Sequence, residues 1–177
     1  LSGLRAKSLP PVPWISQFPE TNCRTYVRGP GGHSGVWFFS LDAARLLAVA
    51  GARLAYGLPY AWSRMRVEYG SGQVTYRSAR RWPDSRAHTR IVVEPGDAID
   101  PDPLDRFLTA RFRLYAFVLG KLCCAKVDHA PWPLHSARVL HAQQTLTEAA
   151  GLPGALAPDH VLYSPGVDVR IGPPERL

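Results

Sequence analysis

Lysine is rare in this sequence of 177 residues. It occurs only as Lys7, Lys121 and Lys126, so a stretch of more than half the chain contains none. The remaining positive charge comes from eighteen arginines. Together with the three lysines, and set against fourteen acids, they give a formal net charge of +7. Enzymes that form a Schiff base with a carbonyl substrate use a lysine amine. Very few positions in this chain could serve that chemistry.

Cysteine is also scarce, and long apolar runs are absent. Cys23, Cys123 and Cys124 are odd in number and show no Cys-x-x-Cys spacing, which argues against a disulfide framework or a zinc knuckle. No apolar run approaches the roughly 20 residues that span a bilayer, and residues 1–5 lack the shape of a signal peptide. We therefore expect no membrane partner and a cytoplasmic location.

Histidine spacing gives no support to a metal site. His129, His135 and His141 are six residues apart, which matches neither a helix face nor a zinc motif. With 46% hydrophobic and 20% charged residues, the composition is that of an ordinary globular chain. We expect a single domain over residues 1–177, with no metal and no cofactor.

The densest positive stretch runs from Arg77 to Arg90 and contains five arginines and Trp82. It could follow the phosphates of a nucleic acid, with the indole stacking on a base. Because no nucleic-acid-binding motif accompanies the charge, the favoured interpretation is a solvated strand and turn. We expect no nucleic-acid partner.

Alternating patterns and turn residues predict many hairpins and two or three short helices. One helix is predicted with Ser40 as N-cap, Asp42 in its first turn and Gly57 as its stop. A second is predicted from Asp102 to about Ala110, with Pro103 at its first position. Strands are predicted at 22–28, 35–41, 62–69, 73–80, 89–94, 112–119, 122–129, 137–144 and 167–171, and a short third helix at 147–150. This pattern indicates an α+β fold built mainly on an antiparallel sheet, curled into a barrel or sandwich.

Four ordered motifs carry a resemblance to a known family: Phe18–Val27, Gly35–Ala43, His129–Leu134 and Ser164–Val169. They resemble the bacterial YqjF-like family of unknown function, which shares a fold superfamily with acetoacetate decarboxylase. The resemblance implies a mainly antiparallel, cone-shaped barrel that encloses a pocket. It also implies further strand-forming sequence upstream of Phe18, so we expect part of the barrel to be missing and an exposed strand edge. A second chain could cover such an edge, which leaves a homo-oligomer open.

The resemblance also points to a missing catalytic group. Acetoacetate decarboxylase uses a lysine that follows a helix, and the similar stretch here is Ala52–Tyr60, where the lysine's place falls within Gly57 to Pro59. Lys126 is the one plausible substitute. It is predicted on a strand with Asp128 on the same face, which would keep its amine protonated. We therefore assign no catalytic residue and expect no Schiff-base decarboxylase activity.

The strand that begins at Glu20 supplies most of the candidate ligand-binding residues. Its period of two places Glu20, Asn22, Arg24 and Tyr26 on one face. If this face lines the barrel, Glu20 and Arg24 form an ion pair and Arg24 can clamp a ligand carboxylate. If it faces water, the residues are only part of the surface, and the pattern alone leaves both open. The other candidates are Arg53, Tyr60 and His129.

Three functional hypotheses follow from these residues. The first is a non-covalent binder of a small acidic or carbonyl metabolite, which uses Arg24 and Glu20 with Tyr60 or Arg53. The second is a lyase or hydrolase with Glu20 and His129 as acid and base. The third is a non-catalytic interaction module that meets a partner through the strand at 37–39 and a basic turn around Arg80.

Overall fold

The fold is dominated by one ten-stranded sheet. A computed structural model describes residues 18–154 and 157–177. The strands are β1 (Glu20–Arg28), β2 (Ser34–Ala43), β3 (Tyr60–Gly70), β4 (Gln73–Trp82), β5 (His88–Ala98), β6 (Arg113–Val118), β7 (Lys121–His129), β8 (His135–Gln144), β9 (Leu162–Tyr163) and β10 (Val169–Arg176). The helices are α1 (Leu46–Tyr56), α2 (Pro103–Thr109) and α3 (Leu146–Ala149).

The sheet is mainly antiparallel, as predicted. Its strand order is β10-β7-β6-β2-β3-β4-β5-β8-β9, with β1 paired to β2 off this path. Parallel pairing occurs where β2 meets β3 and β6. The α+β class and the antiparallel hairpins are thus confirmed. The path ends at β10 and β9, so hydrogen bonds among the described strands do not close a barrel.

Strand β2 is shared by three neighbours. It pairs with β1 from Ser34 to Ala43, with one bulge at which Phe39 has no partner. Its other edge meets β6 at Val36 and Trp37 and β3 from Leu41 to Ala43. Strands β1 and β3, which carry five of the seven candidate residues, therefore meet on β2.

Helix α1 covers the core on one face of the sheet. Val49 is its buried residue and packs against side chains of β2, β3, β6 and β7. The buried members of this core are Phe18, Val36, Leu41, Ala43, Val49, Leu58, Tyr60, Leu114, Ala116 and Ala125. The core fixes where β3 begins relative to β2.

The predicted start of α1 is wrong and its predicted end is right. Ser40 and Asp42 belong to β2, and the helix begins only at Leu46. Gly57 ends it with φ of 63°, and its N–H donates to the carbonyl of Arg53. An added Cβ at Gly57 would overlap the carbonyl oxygen of Phe117, so the backbone of β6 passes directly over this position.

A buried ion pair explains why Asp42 stays in the strand. Arg80 donates from Nε to Oδ1 of Asp42 over 2.7 Å and from Nη2 to Oδ2 over 2.8 Å. Ser63 Oγ adds a third hydrogen bond to Oδ1 over 2.6 Å. Asp42 is 1% exposed and Arg80 is 7% exposed. The interpretation of Arg80 as part of a solvated basic turn is wrong, whereas Arg77, Arg86 and Arg90 are exposed as expected.

The remaining predictions differ from the structure by a few residues. Helix α2 begins as predicted, with a reciprocal capping box between Asp102 and Asp105. The turn between β6 and β7 is Leu119-Gly120 and not Gly120-Lys121, and the last strand begins at Val169. None of the helices in the described part of the chain has the length and apolar character needed to cross a bilayer.

Removing one member of the buried ion pair should destabilise the protein strongly. We expect Arg80→Met or Asp42→Leu to lower the free energy of unfolding by about 3–5 kcal/mol, because each leaves an uncompensated buried charge. The double variant should lose less than the sum of the two single variants. Urea unfolding curves measure this, with Arg77→Met as the exposed control. Equal midpoints for Arg80→Met and Arg77→Met would contradict the assignment.

Gly57 and Gly120 offer a matched test of the contact between α1 and β6. Both have positive φ, but an added Cβ at Gly120 meets nothing within 4 Å. Gly120→Ala should therefore lower the free energy of unfolding by about 1–2 kcal/mol, which is the cost of placing a residue with a Cβ in a left-handed backbone conformation. Gly57→Ala should cost clearly more, because the backbone of Phe117 must also move. Similar losses in thermal or urea unfolding for the two variants would show that β6 does not pass over Gly57.

Candidate functional site

Glu20 and Tyr60, two of the predicted site residues, share a hydrogen bond between their side chains. The phenol of Tyr60 donates to Oε2 of Glu20 over 2.7 Å. Glu20 lies opposite Ala43 on one edge of β2, and Tyr60 lies opposite Leu41 on the other edge. Since Ala43 carries only a methyl group, the two longer side chains can meet across β2. Tyr60 also directly follows the segment where the resemblance places the missing lysine.

Burial shapes the ionisation of both groups. Loss of hydration raises the pKa of the Glu20 carboxyl, and the hydrogen bonds from Tyr60 and Asn22 oppose this only in part. Burial also raises the pKa of the Tyr60 phenol, and the negative charge of Glu20 raises it further. The pair therefore keeps its protons to a higher pH than exposed side chains would.

Arg53 holds the backbone at this point. Its Nη1 donates to the carbonyl oxygen of Tyr60 over 2.7 Å. The guanidinium also lies 4.8 Å from the ring centroid of Trp82, at the end of β4. Arg53 thus joins α1 to the start of β3. Its side chain is exposed, unlike the Tyr60 side chain.

A small cleft of about 180 Å³ adjoins Glu20. It lies between the beginning of β1 and the β3–β4 hairpin. Its lining residues are Pro19, Glu20, Thr21, Met65, Arg66, Val67, Tyr69, Tyr76 and Arg77. Glu68 is 3.0 Å from Arg66 and 3.7 Å from Arg77, which leaves donors of both guanidinium groups available. The cleft combines two arginines, two phenols and one carboxyl that resists ionisation.

Other candidates on β1 face α2 or the solvent. Arg24 donates to the carbonyl of Leu108 over 3.3 Å, and the Tyr26 hydroxyl donates to the same oxygen over 3.0 Å. Asn22 and Arg24 are exposed. The predicted ion pair between Glu20 and Arg24 does not form among the described residues. The polar face of β1 is thus divided, with Glu20 turned to the core and Arg24 turned outward.

His129 lies far from Glu20. Its ring stacks on Phe112 at 4.9 Å, meets Trp132 edge-on at 6.0 Å and contacts the carbonyl of Ala130 through Nδ1. His129 lies on β7 just past the residues that pair with β6, and β6 in turn pairs with β2 at Val36 and Trp37. Glu20 lies at the opposite end of β2, where it pairs with Ala43. Seven residues of strand separate these positions, roughly 23 Å. The structure does not bring the proposed acid and base together.

A larger, open cleft of about 720 Å³ lies along β8. It involves none of the seven candidate residues, and sequence reasoning did not find it. His141 lines it, and Nε2 of this ring is buried and has no hydrogen-bond partner among the residues that the structure describes. In the part of the chain that the structure describes, no three His, Cys, Asp or Glu side chains are grouped as metal ligands would be.

Comparison with known proteins decides the family. The family model DUF2071, described as an uncharacterized conserved protein, matches residues 1–168. The chain belongs to this family. It is 39% identical over 155 residues to the uncharacterized protein YqjF of Bacillus subtilis, which covers 86% of this chain and 63% of that protein. The chain therefore spans less than two thirds of this DUF2071 relative.

Comparison with solved structures shows which fold this chain is similar to. An acetoacetate decarboxylase from Legionella pneumophila matches with a TM-score of 0.54 and 14% identity, over 90% of this chain and 63% of that one. The enduracididine biosynthesis enzyme MppR, complexed with pyruvate, matches with a TM-score of 0.53 and 12% identity, over 90% and 64%. The fold of this DUF2071 chain is thus acetoacetate-decarboxylase-like, as the resemblance implied.

The raised pKa of Glu20 predicts a pH dependence of stability. Between the ordinary carboxyl value of 4.5 and its raised value, Glu20 binds more protons in the folded chain than in the unfolded chain. Its contribution to the free energy of unfolding should therefore fall as the pH rises through this window, and should level off above it. Glu20→Gln should lack this fall while keeping an oxygen that accepts from Tyr60.

Urea unfolding from about pH 4 to about pH 8 measures the effect. The stability of Glu20→Gln relative to the natural chain should increase with pH across the window. Glu175→Gln, an exposed change on β10, is the control. Parallel pH profiles for the natural chain and Glu20→Gln would contradict a raised pKa.

Proposed function

We propose that the protein binds a small carboxylate or carbonyl metabolite without forming a covalent bond to it. The observation that carries the proposal is the Glu20–Tyr60 pair beside a cleft lined by Arg66 and Arg77. A guanidinium binds a carboxylate through paired hydrogen bonds. A carboxyl that remains protonated can donate to a carbonyl oxygen. The cleft thus offers complementary groups for both ends of a small oxo-acid.

The size of the cleft limits the ligand. Pockets for drug-sized molecules are about 300–1,000 Å³, so 180 Å³ suits a metabolite of only a few heavy atoms. The structural neighbour MppR is described as complexed with pyruvate, which makes pyruvate a sensible first probe. The likeness to MppR suggests pyruvate as a probe and is not used to assign a ligand, since 12% identity supports the fold alone.

The distribution of lysine supports binding without Schiff-base chemistry. Tyr60 occupies the position next to the expected lysine, and a phenol cannot form an imine with a ketone. Lys126 is exposed on β7 and lines neither of the two clefts described above. The acid–base alternative with His129 lacks support because that ring is stacked between Phe112 and Trp132.

Binding of pyruvate and other small oxo-acids can be measured by thermal shift and calorimetry on the full chain. We expect stabilisation that increases with ligand concentration. Arg77→Gln should weaken binding about tenfold, as expected for the loss of one charge-assisted hydrogen bond, and Glu20→Ala, which removes the neutral carboxyl donor, should weaken it about fivefold. Arg138→Gln, an exposed change on β8, should leave it unchanged.

Treatment with borohydride in the presence of pyruvate should leave the intact mass unchanged. A reduced adduct on Lys126 would replace the non-covalent proposal by a covalent one. Absence of stabilisation by any small carboxylate or ketone would remove the proposal altogether.

A further inference from the structure

The exposed side of α1 is mostly apolar. Six of its seven exposed residues lack a polar side chain: Leu46, Leu47, Ala50, Gly51, Leu54 and Ala55. The seventh is Arg53, whose guanidinium donates to the carbonyl oxygen of Tyr60. Leu47 is 71% exposed and Leu54 is 83% exposed. The inner side of the same helix packs on the core through Val49. A helix that is apolar on both sides is normally covered on both sides.

The turn between β6 and β7 extends this apolar surface. Leu119 is 94% exposed there, and the nearby backbone of Phe117 lies against Gly57 at the end of α1. The Phe117 ring packs against Trp37 on the other face of the sheet. Leu46, Leu47, Leu54 and Leu119 together form what we term the apolar end. Exposed apolar area of this extent usually marks a contact with a partner or a membrane.

Arginines cover the neighbouring part of the same sheet face. Tyr60 packs under α1, and alternation along β3 places Trp62, Arg64 and Arg66 on its face. Arg66 lies directly opposite Arg77, and Arg77 lies directly opposite Arg90. Arg81 lies over the ring of Trp62 at 5.2 Å. We term Arg64, Arg66, Arg77, Arg81 and Arg90 the arginine face.

Like charges directly opposite each other on a sheet are unfavourable in isolation. The sequence provides few acids nearby: none occurs between Asp42 and Glu68, or between Asp105 and Asp128. These two segments include α1, most of β3 and the turn of the apolar end. The surface therefore combines apolar side chains with an excess of positive charge, since among the described residues the five arginines of the arginine face meet one carboxylate, Glu68, which pairs with Arg66 and Arg77.

This combination distinguishes between partners. A second copy of the chain would bring two positive surfaces together. A single-stranded nucleic acid would satisfy the arginine face but would leave α1 in water. An anionic bilayer satisfies both, because its acyl chains receive apolar side chains and its phosphates attract arginine.

We propose that the apolar end and the arginine face bind the surface of an anionic phospholipid bilayer. Helix α1 lies in the headgroup layer with Leu47 and Leu54 inserted, and the arginine face contacts lipid phosphates. Our expectation of no membrane partner rested on the lack of a spanning segment, and a surface contact needs none. Arg66 and Arg77 belong to both the arginine face and the small cleft. Arg64, Arg81 and Arg90 do not line the cleft, so changes at these three test membrane binding apart from ligand binding.

Sedimentation of the full chain with phosphatidylcholine vesicles, with and without phosphatidylserine, tests the proposal. We expect binding that requires phosphatidylserine and weakens with salt. Leu47→Glu combined with Leu54→Glu should abolish it. Arg64→Gln, Arg81→Gln and Arg90→Gln together should weaken it by about fivefold for each arginine removed.

Two control variants match these changes elsewhere on the surface. Leu104→Glu with Leu177→Glu alters two other exposed leucines, and the triple change to Gln at Arg28, Arg170 and Arg176 removes the same net charge. Both should bind as the natural chain does. Unfolding midpoints confirm that each variant is folded.

Several results would overturn the proposal. These are no binding to anionic vesicles, equal binding to neutral vesicles, or equal losses in the control variants. A stable dimer in light scattering that Leu47→Glu with Leu54→Glu dissociates would identify a second copy as the occupant of the apolar end. Binding of a single-stranded oligonucleotide but not of vesicles would assign the arginine face to nucleic acid.

Discussion

Strand β2 pairs with three neighbouring strands and also carries one buried carboxylate, Asp42. Asp42 lies near its end, where β1 and β3 approach from opposite edges. The bidentate pair with Arg80 ties this point to β4, and Ser63 ties it to β3. A buried carboxylate without such partners would be costly, so the arrangement of β2, β3 and β4 is fixed by the need to neutralise Asp42.

The placement of the candidate site follows from this constraint. With β3 held against β2, Tyr60 enters the core beside Leu41 and meets Glu20 over the methyl group of Ala43. The two faces of the sheet therefore carry different groups. One buries Asp42 with Arg80, and the other carries Tyr60, α1 and the arginine face. A carboxyl and a phenol thus stand beside residues 57–59, the segment where the resemblance places the decarboxylase lysine.

Local signals were sufficient for the parts of the fold that depend on neighbouring residues. The capping box at Asp102, the stop at Gly57 and the turn at Ser71 and Gly72 each follow from residue type and position. The start of α1 did not, because the partner of Asp42 lies 38 positions further along the chain. A single acid inside the apolar run of β2 was nevertheless a signal, since a buried charge needs a partner.

The site was predicted only in part, because its contacts also join residues that are distant in the sequence. Glu20 and Tyr60 were both identified, but their contact joins residues 40 positions apart and depends on the sharing of β2. Alternation along β1 correctly grouped Glu20 with Arg24, yet it could not show that α2 draws Arg24 outward through Leu108. The cleft along β8 depends on how the segment after α3 returns to the sheet, which no local pattern encodes.

Glu20 is a desolvated carboxyl hydrogen-bonded to the phenol of Tyr60. Titration of the Glu20 side chain by carbon-13 NMR tests this claim most directly, since the carboxyl carbon reports its own protonation. The account predicts a midpoint above the ordinary value of 4.5. A midpoint at or below that value would show that Glu20 is a solvated surface carboxylate, and would contradict the account.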